Sequence, residues 1–132
     1  MVQYDNAVKN WMDYRMITDK TSKQWELLRN VYFDENGICM IDGYYCVALG
    51  SHFGDIGDKY RITLEDGSVL RVIKADEKAD KDVVNGVYHA CNNSISEFLV
   101  NADILNKDIK YHGDVNVVDG FNGKIIKIER EI

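Results

Sequence analysis

Residues 43–80, GYYCVALGSHFGDIGDKYRITLEDGSVLRVIKADEKAD, decide the fold of this chain. Tyr44–Leu49 and residues 60–64 concentrate aromatic and β-branched side chains, which suit a pleated, half-buried surface. Asp66-Gly67 is a dipeptide that supplies a tight hairpin turn, and residues 69–73 return as the partner strand. The stretch ends in Asp76, Glu77 and Asp80, so the hairpin delivers a carboxylate cluster just past a strand end.

Upstream, Val8, Trp11, Met12 and Met16 recur at spacings of three and four, which predicts a helix over residues 4–16 with one apolar stripe. Thr21 followed by Gln24 has the form of a capping box, and Trp25 and Leu28 give a second, shorter helix its apolar face. Residues 31–33 and 38–41 flank Asp34-Glu35-Asn36-Gly37, a hairpin or irregular turn with Gly37 at positive φ. Asp42-Gly43 then resets the chain. Downstream, residues 76–93 read as a polar loop and residues 95–100 as an alternating strand. Asn101 caps a short turn, and residues 115–118 and 124–128 form two further strands. The expected core is Val47, Leu49, Ile62, Leu64, Leu70, Val72, Phe98, Val100 and Ile126. The expectation is a mainly β protein: a small closed six-stranded barrel over residues 43–132, which removes exposed edges, preceded by a helical arm and hairpin over residues 1–42.

With 132 residues, 45% apolar and 29% charged, the chain fits one globular domain. Its formal charge of −6 repels a phosphate backbone, and no basic run with interleaved aromatics offsets it, which disfavours nucleic acid and anionic membrane surfaces. No long apolar run opens the chain, so the sequence as given shows neither a secretory signal nor a membrane span, and the expected location is the cytoplasm or an assembled particle. Cys39, Cys46 and Cys91 are an odd set without a C-x-x-C pair, better read as free thiols than as a disulfide framework.

Residues 47–76, VALGSHFGDIGDKYRITLEDGSVLRVIKAD, resemble the double-psi β-barrel module, in particular the 3D domain of bacterial cell-wall proteins and of membrane-bound lytic transglycosylase A. The family's strand of type VAVDP corresponds to Val47-Ala48-Leu49-Gly50. Its IPLGTKVYI corresponds to residues 56–62, its AEDTG strand end to Lys74-Ala75-Asp76, and its IDLYF strand to residues 95–99. The resemblance spans about residues 43–128 and implies the closed barrel and a sugar cleft. It implies Asp76 as a general acid or base there. Glu97 stands where an aspartate of the family belongs, and Gly50 where its first aspartate would be.

An acid that protonates a glycosidic oxygen at neutral pH must be kept protonated by an apolar setting or a neighbouring carboxylate. Asp76 is the candidate, with Glu97 or Asp80 as its partner. Tyr45, His52, Phe53, Tyr88 and His89 are candidate rings for a sugar platform. The plainer reading makes Asp76, Glu77, Asp80 and Asp82, interleaved with Lys74, Lys78 and Lys81, a solvated loop of mutually neutralising charges. Calcium is disfavoured because the acids lack EF-hand order, and zinc because His89-x-Cys91 would need ligands from distant segments. Neither a metal nor a cofactor is expected. Cys46, enclosed by Tyr45 and Val47, reads as a packing residue, and Gly50, Gly54 and Gly57 read as turn glycines.

The expected function is recognition of cell-wall glycan, extending to lytic-transglycosylase-like cleavage. The alternative is a non-catalytic structural or interaction module of a phage, prophage or mobile element. In that reading the Trp11 and Trp25 helices dock a protein partner or a second copy of the chain.

Overall fold

The computed structural model describes residues 3–6, 8–89 and 94–132, without the side chains of residues 3–6 and Tyr88. Nine strands form one sheet: β1 (Gln3–Asn6), β2 (Trp11–Asp13), β3 (Tyr32–Phe33), β4 (Cys39–Ile41), β5 (Tyr44–Leu49), β6 (Lys59–Leu64), β7 (Val69–Glu77), β10 (Glu97–Val100) and β11 (Ile125–Glu131). A small hairpin, β8 (Val83–Val84) with β9 (Tyr88–His89), stands apart. Two short helices, α1 (Lys23–Leu28) and α2 (Lys107–His112), complete the framework.

The main path of the sheet runs β1-β11-β6-β7-β5-β10-β2, with β4 also on β5 and β3 on β4. Most ladders are antiparallel, but β5 pairs with β7 and β10 with β2 in parallel. Seven strands laid flat would set the outer edges roughly 29 Å apart. Asn6 and Trp11, on those edges, are joined by a stretch that reaches at most about 18 Å. The sheet therefore coils, yet no ladder joins β1 to β2 among the described residues.

This corrects the expected architecture: the sheet is open and has nine strands, so it is not a small closed six-stranded barrel. The physical reason lies in β5 and β10. Cys46, Val47, Ala48 and Leu49 are buried in succession, as are Phe98, Leu99 and Val100, so both faces of these strands are covered. One face carries the main core, which includes Val47, Leu49, Ile62, Leu64, Val72, Phe98 and Ile125. The other carries Leu28 of α1 with Ile41, Cys46, Ala48, Ile73, Ala75 and Leu99. Cys39 and Cys46 are free thiols buried on that second face, and burial pushes the Cys46 thiol up to about 12. Cys91 lies outside the described residues.

Several expected elements are replaced. The helix over residues 4–16 is instead β1, β2 and a 3-10 turn, Tyr14–Met16. Trp11 and Met12 face opposite cores, and Met16 is exposed. Helix α1 is capped by Ser22, whose Oγ accepts from Trp25 N at 3.1 Å, while Thr21 donates to Asp19. Asp42 and Gly43 both have positive φ, 54° and 82°, and close a two-residue turn between β4 and β5. In β11 the register shifts between Ile125 and Lys127, which buries Ile125 and leaves Ile126 40% exposed. Residues 115–117 form a 3-10 turn instead of a strand.

Candidate functional site

The register of three neighbouring strands builds the site. Ala48 on β5 lies opposite Glu97 on β10 and opposite Asp76 on β7. Paired residues project from the same face, so the two carboxylates flank a methyl group in one row. Two strand spacings separate their Cα atoms, about 9.6 Å. A β-bulge makes this row. Val47 faces Lys74 and Ala48 faces Asp76, leaving Ala75 as the extra residue of β7. In a regular ladder Ala75 would pair with Ala48, and Asp76 would pair with Leu49 and point into the main core. Bulges of this kind commonly re-aim a side chain next to a functional site.

Asp76 is half-buried under α1. Gln24 Nε2 donates to its Oδ1 at 3.3 Å and the Glu77 N–H donates to the same oxygen at 2.9 Å. Its Oδ2 has no hydrogen-bond partner among the described residues. Burial raises its pKa, the Glu77 charge adds to that, and the two hydrogen bonds oppose it. Glu97 is raised too, chiefly by burial, with the Asp76 charge adding and Lys78 and His89 opposing. Asn10 Nδ2 donates to Glu97 Oε2 at 3.3 Å. Asn10 Oδ1 lies 2.7 Å from Ser94 Oγ, and the Ser94 carbonyl accepts from Lys78 Nζ at 3.1 Å. Lys78 is 8% exposed, and burial lowers its pKa while Glu97 counteracts. The row thus holds two acids whose pKa values burial raises beside a lysine whose pKa burial lowers.

Of the residues expected from sequence, Asp76, Glu97 and His89 are brought together. Asp80 is not: it is exposed, and its Oδ1 accepts from Ser51 Oγ at 2.7 Å. Tyr45 packs in the main core, on the opposite face, with its ring 5.0 Å from Phe121. Phe53 is 5% exposed and belongs to the same core, so neither ring lines the row. His52 is exposed on the loop after β5, edge-on to Phe53. The Tyr88 side chain lies outside the described residues. Lys74, read from sequence as a loop charge, is fully buried and donates to the Gly50 and Gly54 carbonyls and to Glu77 at 3.2, 2.9 and 2.7 Å.

Sequence reasoning missed Ala48, Gln24, Asn10, Ser94 and Lys78 at the site. Alternation along β10 and β5 is the signal that could have put Glu97 and Ala48 on one face, but a bulge has no mark in the sequence and a lysine reads as solvated. Among the described residues no group of three or more His, Cys, Asp or Glu side chains could hold a metal ion. No described helix is long and apolar enough to cross a membrane. Compared with protein-family models, curated proteins and solved structures, the chain has no match.

Proposed function

We propose that this protein recognises cell-wall glycan at the Asp76–Ala48–Glu97 row, with the two carboxyls serving proton transfer at a glycosidic oxygen. The observation that supports the reading is the row itself: two half-buried acids with raised pKa values on either side of an alanine. A carboxyl that keeps its proton toward neutral pH can act as a general acid. Paired carboxyls that work on a glycosidic bond stand about 5 to 9.5 Å apart, and a two-strand spacing closed by the long Glu97 side chain is compatible with that range.

Asp76 takes the donor role, because Gln24 and the Glu77 amide fix one oxygen and leave the other to face a substrate. Glu97 is its partner across Ala48, the Asp76 charge adds to the rise of the Glu97 pKa, and Lys78 opposes that rise. Purified protein incubated with peptidoglycan sacculi tests the proposal. Co-sedimentation with release of soluble fragments is expected. Asp76→Asn should keep co-sedimentation and lose release by about 100-fold or more. Co-sedimentation without release would reduce the function to binding, and absence of both would refute it.

A further inference from the structure

A second site lies on another side of α1. Tyr14, Ile17, Trp25, Leu28 and Val31 wall a cavity of about 520 Å³, within the roughly 300–1,000 Å³ of sites that enclose a small organic ligand. Gln24 of the same helix reaches Asp76, but neither Asp76 nor Glu97 lines this cavity. The cavity is therefore separate from the carboxylate row, and the chemistry of its ligand is independent of the glycan reading.

The charged side chains that line this cavity have one sign. Arg15, Lys20 and Arg29 line it and no acid does, in a chain whose net charge is −6. The three cations differ in how far they are engaged. The Arg15 guanidinium is held by Asp13 and Asp103 at 2.7 and 2.8 Å. Among the described residues Arg29 pairs with Glu26 alone, at 3.4 Å, and both side chains are well exposed, a pairing of small energetic weight. Lys20 has no hydrogen bond or ion pair among the described residues, and its Nζ rests 5.7 Å from the centre of the Trp25 ring. An uncommitted ammonium over an indole at the mouth of an apolar cavity is suited to a ligand with a flat body and a negative end.

We propose that this cavity binds a small amphiphilic anion, in which a flat apolar body packs against Trp25 and Leu28 and one anionic group meets Lys20 and Arg29. Neutral apolar ligands would forgo the cations, and highly charged ones would not leave water for the apolar walls.

The probe is 8-anilinonaphthalene-1-sulfonate, which carries one sulfonate on an aromatic body, titrated into the full chain and read by its fluorescence rise. Saturable one-to-one binding is expected. Lys20→Glu, a change at an exposed side chain, should weaken it by about five- to tenfold while leaving the circular dichroism melt unchanged. Lys81→Glu, on an exposed turn away from the cavity, should bind as the unmodified protein does. The neutral analogue N-phenyl-1-naphthylamine should bind more weakly by a similar factor. Equal affinity for the neutral probe, unchanged affinity in Lys20→Glu, or an equal loss in Lys81→Glu would each overturn the proposal. So would the absence of saturable binding.

Discussion

At half-buried Asp76 and Glu97 burial outweighs the nearby positive charges, and that has a consequence for stability. A carboxyl whose pKa is raised in the folded state binds its proton more tightly there than in the unfolded chain. Stability is therefore lost as pH rises from the ordinary carboxylate range through the raised value, and the loss persists at neutral pH. Asp76→Asn removes it for one group, and the amide oxygen still accepts from Gln24 and the Glu77 N–H. The expected outcome is a higher Tm than the unmodified protein at pH 7, with the gap closing toward pH 3, read by thermal melts across that range. A lower Tm at pH 7 would show that the Asp76 charge is welcome in the fold. Lys78 and His89 oppose the rise at Glu97, so Glu97→Gln should gain less. Glu97 was legible in the sequence because it stands in an alternating strand, whereas Asp76 reads as a carboxylate just past a strand end and lies inside β7, which runs on to Glu77. Lys78 and Lys74 were not legible, since their burial depends on partners brought from residues 94 and 50–54.

At the scale of elements, local chemistry was read where it is self-contained. The Asp66-Gly67 turn and Gly37 at a φ of 85° follow from dipeptides whose conformation needs no tertiary partner. Strand β2 defeated the reading because three residues are too few to show a period, and the Val8, Trp11, Met12, Met16 spacing imitates a helix. The bulge at Ala75 and the register shift in β11 are set by neighbouring strands, and so have no signature in their own residues. The loop after β5 shows how tightly such neighbours fix one another. A Cβ on Gly50 would lie 2.0 Å from the Gly86 carbonyl oxygen and 2.6 Å from its carbon. Both are backbone atoms and cannot swing aside. Gly50→Ala should therefore destabilise by about 2 kcal/mol or more in urea unfolding. It should also disturb the β8–β9 hairpin that carries His89. An unfolding midpoint equal to that of the unmodified protein would mean the two loops part freely.

The whole molecule is a coiled open sheet with a core on each side. The β content was legible from short, turn-bounded apolar runs, but closure was not, because it depends on whether the first and last strands of the path meet. A run such as Cys46 to Leu49, apolar without alternation, is the signal that a second layer covers the sheet, and α1 supplies that layer. The same cover half-buries Asp76, so the architecture that replaces the barrel also creates the acid on which the proposed function rests. Amide spectra of the isotopically labelled protein, titrated with soluble peptidoglycan fragments, test that claim most directly. The account requires saturable shifts clustered at Ala48, Asp76, Glu77, Lys78 and Glu97; no shift at saturating fragment, or shifts confined to the Trp25 cavity, would contradict it.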